Sequence, residues 1–300
     1  MTNTFKSGFI SIIGRPNVGK STLMNHILGE KVAITSDKVQ TTRNKIQGVY
    51  TTDSAQMIFI DTPGIHKPHH RLGQWMVNSA LGSLNEVDAV LFVVNVTQKK
   101  GPGDEFIMEH LKSIHTPIIL VLNQIDRVSP NVLPEIADSY RGELDFADII
   151  PISALQGNNV ERLLETIENH LEPGPQYYPS DQITDHPEYF IVSELIREKI
   201  LELTEEEIPH SVAVQIESMK RRSDKIVDVS ALIIVERDSQ KGIIIGKRGQ
   251  MIREIGTRAR KDIERLLGDQ IFLDLFVKVS KNWRNKPVRL EELGYSKDDY

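Results

Sequence analysis

"FISIIGRPNVGKSTLMNHIL", residues 9–28, passes from an apolar run through a glycine-bounded turn into a helical stretch. The turn, Gly14 to Ser21, fits G-x-x-x-x-G-K-[ST]. Glycines let backbone N–H groups converge on an oxyanion, and the helix that follows adds the positive end of its dipole. The phosphate contacts expected here are Gly14, Arg15, Pro16, Asn17, Val18, Gly19, Lys20, Ser21 and Thr22. Lys20 reaches toward the β- and γ-phosphates, and Ser21 offers its hydroxyl to Mg²⁺. A strand before the loop and a helix after it separate this motif from a chance glycine turn. It implies a nucleoside triphosphate without saying which base.

Outward from the loop, the chain up to residue 172 alternates between two patterns. "QMIFIDTPG", "AVLFVVN", "PIILVLNQID" and "DIIPISA" repeat the short apolar run that ends in a turn, and read with "FISIIG" as buried strands. "KSTLMNHIL", "DEFIMEHLKSI" and "NVERLLETIENHL" read as helices between them. Such alternation predicts an α/β domain, a doubly wound and mostly parallel sheet with ligands at the carboxyl ends of its strands. Every motif in this half follows a strand.

In "DTPG", Asp61 can hold Mg²⁺ through water, and the Gly64 N–H can meet the γ-phosphate. In "NQID", with Asn123, Gln124 and Asp126, a carboxylate can accept two hydrogen bonds from guanine, where adenine offers no donor. "SAL", Ser153, Ala154 and Leu155, can turn a backbone N–H toward the guanine O6. In order and spacing the set resembles the translation-factor class of P-loop GTPases. That resemblance makes Thr42 of "QTTR" the switch residue that meets Mg²⁺ and γ-phosphate, with Thr41 as the neighbour able to take the role. Two residues depart from the pattern. Gln124 stands where the family usually carries lysine, which puts affinity rather than base choice in question. Ile65 stands where many signalling GTPases carry a water-orienting glutamine, so hydrolysis is expected to be slow or to use another device. Asn17 resembles the asparagine of potassium-activated relatives, which makes it a candidate K⁺ ligand.

Residues 173–187, rich in proline and without helical period, read as a linker. The order then changes. "EYFIVSELIREKILEL" is an amphipathic helix, and "SVAVQIESMK" and "KIVDVSALIIVERD" alternate like antiparallel strands. A helix from about 250 to 267 and the strand "IFLDLFVKV" follow, so 188–300 reads as a smaller α+β domain with a basic tail. Between Lys241 and Lys261 stand seven basic residues against one acid, Glu254, in a chain of formal charge −6. Inside that patch lies "IGKRG". Gly246 and Gly249 flank Lys247 and Arg248, and Ile245, Ile252, Arg253 and Ile255 frame a groove for unstacked bases. This resembles the GXXG loop of a prokaryotic-type (type II) KH domain, which clamps single-stranded RNA.

The joined pair of domains resembles the Era family of bacterial ribosome-assembly GTPases over essentially the whole chain. The resemblance implies a monomeric GTP- and GDP-binding switch with Mg²⁺, contact with small-subunit ribosomal RNA near its 3′ end and with the 30S subunit, a cytoplasmic location, and peripheral contact with the inner face of the membrane. A rival reading is a GTPase of membranes or tRNA modification with a protein-binding second domain, and the GKRG loop argues against it. A metabolic P-loop kinase is disfavoured by the guanine-reading Asn123 and Asp126.

Composition fits the same reading. Hydrophobic content of 39% and charged content of 26% over 300 residues suit two globular domains. The absence of cysteine excludes disulfides, thiolate zinc sites and cysteine nucleophiles. The start lacks an apolar core of signal-peptide length, and no apolar run approaches the ~20 residues of a membrane span. "HKPHHR", with His66, His69 and His70, reads as a switch segment rather than a metal site. "MKRRSDK" around Arg221 and "KVSKNWRNKP" around Trp283 are candidates for further RNA or lipid contact, or for plain surface packing.

Overall fold

The computed structural model describes residues 5–68, 70–84 and 87–295. The apolar runs become the strands of a six-stranded sheet: β1 (Lys6–Ile13), β2 (Ile46–Thr51), β3 (Ala55–Asp61), β4 (Ala89–Asn95), β5 (Ile118–Asn123) and β6 (Asp148–Ile152). The order is β2-β3-β1-β4-β5-β6, parallel except that β2 pairs antiparallel with β3. Strand β2, "IQGVYT", is not evident from the sequence, because Gln47 and Gly48 interrupt its apolar pattern. The interior strands are buried on both faces, as their unbroken apolar runs require.

Helices α1 (Lys20–Leu28) and α5 (Val160–His170) cover one face; α2 (Arg71–Gly82), α3 (Pro102–Leu111) and α4 (Leu133–Arg141) cover the other. Helices α2 and α4 are likewise not evident from periodicity. Both carry residues that blur a helical period, Gly73 and Asn78 in one and Pro134 in the other.

The second half contains α6 (Glu188–Leu203), α7 (Ile208–Ser211), β7 (Ala213–Ser223), β8 (Ile226–Val235), α8 (Asp238–Ile245), α9 (Gln250–Leu267), β9 (Gln270–Val279) and α10 (Pro287–Glu292). Its sheet, β7-β8-β9, is antiparallel at the first pair and parallel at the second. Sequence pattern runs the second strand straight into the GKRG loop. In the structure α8 intervenes, started by Gln240, whose Oε1 accepts from the N–H groups of Glu236 and Arg237 at 2.9 and 3.0 Å. The loop therefore joins two helices.

Segment 173–187 forms neither helix nor strand, yet it is tied down. Val49 N–H donates to Ile183 O at 2.7 Å, Thr184 Oγ1 to Gln47 O at 2.6 Å, and the N–H groups of Tyr177 and Tyr178 to Gln56 Oε1. The two halves also share apolar packing. Ile27, Val32 and Ile34 of the first lie in one buried cluster with Ile191, Leu195 and Ile200 of the second. The basic stretch around Trp283 is folded rather than loose. Trp283 is fully buried with its Nε1–H on Ser211 O at 2.9 Å, and Arg284 pairs with Glu236 at 2.6 Å. This tryptophan can neither stack on a base nor enter a lipid surface. Arg221 and Arg222 pair with Asp269 and Asp228 at 2.7 and 2.8 Å, bracing the β7–β8 hairpin.

Candidate functional site

Loop 14–19 leaves β1 and turns back over the sheet into α1. Gly19 sits at φ +99°, and a Cβ there would come within 2.3 Å of Asn123 Nδ2, so both conformation and space demand glycine. Lys20 donates its Nζ to the loop's own carbonyls, Gly14 O at 3.2 Å and Arg15 O at 3.0 Å.

Three oxygens expected around Mg²⁺ converge. Ser21 Oγ donates to Asp61 Oδ2 at 2.6 Å and lies 2.9 Å from Thr42 Oγ1, which is 3.3 Å from the same carboxylate oxygen. The remaining oxygen, Asp61 Oδ1, is buried with no hydrogen-bond partner among the described residues. A buried, half-satisfied carboxylate beside two hydroxyls is a hard-oxygen donor set that fits Mg²⁺. The two adjacent threonines face different partners. Thr41 Oγ1 is spent on Lys38 O at 2.6 Å, and Thr42 faces Ser21 and Asp61. Burial pushes Lys20 down to about 8 against the attraction of Asp61, and burial raises Asp61 against Lys20 and its hydrogen bonds. Each charge is out of water, and a triphosphate with its metal would compensate both.

Pro16, Asn17, Gly19, Lys20, Thr22 and Gly64 line a chamber of about 60 Å³ with Ser21, Thr42 and Gln40. Arg15 does not join them. Its guanidinium lies 3.3 Å from Asp104 on α3 and also binds Gln98, so it braces the loop from outside. Val18 is buried and contributes its carbonyl to the Asn123 amide at 2.8 Å. Ile65 is buried against the sheet, with its N–H on Gly14 O at 3.2 Å.

Beyond the chamber, Asn123 spends its side chain on protein. It donates to Val18 O and accepts from Ala154 N–H at 2.9 Å, tying the phosphate loop to the 153–155 turn. Asp126 is exposed, with Oδ1 accepting from Ser153 Oγ at 2.6 Å. Ser153 N–H is taken by Asn158 O, so among the described residues Leu155 N–H is the group of this turn left without a protein acceptor. The Gln124 side chain lies toward Arg127, whose Nη1 donates to it at 3.2 Å. His66 Nδ1 lies 2.9 Å from Gly64 O and its Nε2 3.1 Å from the Gln40 amide. His69 lies outside the described residues.

In the second half, Gly246 has φ +73° and a Cβ there would approach Met251 Cβ to 2.6 Å. Lys247 and Arg248 project from the loop, exposed, and with Arg253 they have no ion-pair partner among the described residues. Behind them runs a groove of about 480 Å³ between α9 and β9. Ile252, Gly256 and Arg260, four residues apart on one face of α9, form one wall; Phe272 and Leu275 of β9 form the other. Gly256, Arg260 and Phe272 are not singled out by sequence reasoning; the four-residue spacing from Ile252 was the available signal for the first two. Ile255, expected in the groove, is fully buried in the core instead, and Ile245 is half-buried at the end of α8.

The chamber and the groove define a P-loop GTPase joined to a KH domain. Residues 9–124 match the 50S ribosome-binding GTPase family, and residues 207–284 match the KH domain family. A crystal structure of an Aquifex aeolicus Era variant bound to GDP and AlF4⁻ is 43% identical, covering 97% of this chain and 100% of that one, with TM-score 0.93. A structure of Era in complex with MgGDPNP and nucleotides 1506–1542 of 16S ribosomal RNA is also 43% identical, covering 97% and 99%, with TM-score 0.93. The chain belongs to the Era family and is a GTPase.

Proposed function

We propose that this protein is a GTP-hydrolysing switch whose KH domain binds the 3′ end of small-subunit ribosomal RNA during 30S assembly. One observation carries the reading. Over almost its whole length the chain parallels a protein crystallised with a GTP analogue and 16S nucleotides, and it keeps both a metal-ready phosphate chamber and a basic, apolar-walled groove. The rival second domain, one that binds protein, has no comparable observation behind it.

The parts are assigned on this reading. The loop N–H groups and Lys20 cradle the phosphates, and Ser21, Thr42 and Asp61 hold Mg²⁺. Bound there, the metal neutralises charge on the β- and γ-phosphate oxygens. Asp126, fixed by Ser153, selects guanine, while Asn123 acts chiefly as a brace. A K⁺ between Asn17 and the carbonyls of the first switch is part of the proposal. Asn17 already meets Asp37 O at 2.6 Å, and turning its amide would offer a cation two oxygens. Lys247, Arg248 and Arg253 hold the RNA backbone, and the groove takes bases.

The proposed domain limits are 1–172 and 188–300, with the strap between them lying along β2. We place the protein in the cytoplasm as a monomer, with peripheral membrane contact, on the family resemblance; among the described residues no helix is long and apolar enough to cross a membrane. Crosslinking the GTP-loaded protein to total RNA and sequencing the bound fragments tests the function. Reads concentrated at the 16S 3′ end are expected. Reads scattered over tRNA or absent altogether would remove the assembly role.

A further inference from the structure

Hydrolysis joins a water oxygen to the γ-phosphorus and breaks the bond from that phosphorus to the bridging oxygen. The bridging oxygen keeps the electron pair as part of GDP, and both protons of the water leave with the phosphate as H2PO4⁻. The water must first be aimed, and many GTPases use a glutamine amide for that. Here Ile65 is apolar, buried and turned into the sheet, so the residue after Gly64 cannot serve.

We propose that Gln40, on the first switch, is the water-orienting residue, held in place by His66 and by Arg197 of the second domain. Three observations carry it. Gln40 lines the phosphate chamber beside Gly64 and Thr42. Its amide lies 3.1 Å from His66 Nε2; with His66 Nδ1–H on Gly64 O, that nitrogen accepts and the Gln40 Nε2–H donates. This fixes the amide plane and leaves Oε1 with no hydrogen bond among the described residues, free to accept one from water. Finally, Gln40 is a non-glycine residue at φ 65°, a backbone conformation that persists only where its surroundings enforce it. The enforcing group is Arg197 of α6. This guanidinium is buried and paired with Glu194 at 2.6 and 2.7 Å, and it donates to Thr41 O and, at 3.4 Å, to Gln40 O. The RNA-binding half thus holds the backbone that aims the water.

Four of the other polar side chains that line the chamber are committed elsewhere. Asn17 binds Asp37 O, Thr41 binds Lys38 O, and Ser21 and Thr42 bind Asp61. An amide is no base, so Gln40 positions the water and takes no proton. The inference rests on the GTPase reading of the chamber, and its test separates the two. The full-length protein and its Gln40→Ala, His66→Ala and Arg197→Lys variants would be compared for GDP affinity, for GDP affinity in the presence of AlF4⁻, and for single-turnover GTP hydrolysis. Gln40→Ala should keep GDP affinity within about 3-fold, lose the gain given by AlF4⁻, and hydrolyse on the order of 10²-fold slower, the usual scale for a misplaced reacting group. His66→Ala and Arg197→Lys should slow turnover by less, at unchanged KM. Unchanged turnover in Gln40→Ala would overturn the assignment. So would a parallel loss of GDP binding, which marks a structural role. A wild-type protein that does not hydrolyse GTP would instead remove the GTPase reading itself.

Discussion

The chain grips phosphate in two places by opposite means. In the nucleotide chamber the key cation is buried, its neighbours are hydrogen-bonded to one another, and an orphan atom, Asp61 Oδ1, points to a metal. At the GKRG loop the cations stand in water, with a groove of apolar side chains and Arg260 behind them. The difference suits the ligands. A triphosphate is a compact charge bound once, in a site where low dielectric makes each contact strong and each misplaced group costly. An RNA backbone is a line of charges, best met by exposed cations whose binding releases counterions.

The two grips are expected to fail separately. Replacing Lys247 and Arg248 by aspartates should give the largest effect, an RNA affinity lower by about 10²–10³-fold. Its salt dependence should flatten by about 0.7 in log–log slope for each phosphate no longer neutralised. Titrations at several salt concentrations check this, and GTP hydrolysis without RNA should be untouched. RNA binding that survives would reduce the loop to a solvated turn.

Choice of the nucleotide's base belongs to the first grip. Asp126→Asn should shift preference from GTP toward xanthosine triphosphate by about 10–10²-fold, since an amide donates where the carboxylate only accepts. Competition binding with both nucleotides decides it, and RNA affinity should not follow.

A smaller effect comes from pH. Burial holds Lys20 at about 8, and a bound triphosphate would restore its ammonium. Below pH 8 the lysine is already charged and affinity is flat in this respect. Above pH 8 binding must take up a proton, so nucleotide affinity falls by up to about tenfold per pH unit. Calorimetry in buffers of different ionisation heat reads that proton directly. Smallest is the monovalent cation. Turnover should be several-fold faster in potassium than in equimolar sodium, about 1 kcal/mol or less off the barrier. Asn17→Ala should abolish the difference. Equal rates in the two salts would sink the cation site and leave an arginine from a partner as the better source of charge.

Much of this was legible because short motifs carry their own geometry. Gly14–Ser21, Asp61–Gly64 and Gly246–Gly249 were readable from spacing, since a phosphate turn needs its glycines and cation within a few residues. The helix 250–267 and most strands of both sheets followed from periodicity. Strand β2, and the helices α2, α4 and α8, did not, because glycine, proline or polar residues interrupt their pattern and tertiary packing supplies their stability.

By itself, then, the sequence determined the class of each half, the base and phosphate motifs, and the basic loop, all of them local in the chain. Tertiary structure alone decided which of two adjacent threonines meets Asp61, that the Arg15 side chain turns to Asp104 while Asn123 braces, and that Trp283 is interior. It alone also brought Arg197 to Thr41 and seated Arg43, through its guanidinium, on the carbonyls of Pro209 and Val212 at 3.0 and 2.7 Å. Those partners stand 156 to 169 positions apart in the chain. No spacing rule reaches that far, because what joins them is the packing of one domain against the other, and a buried guanidinium is stable only where carbonyls or carboxylates meet it.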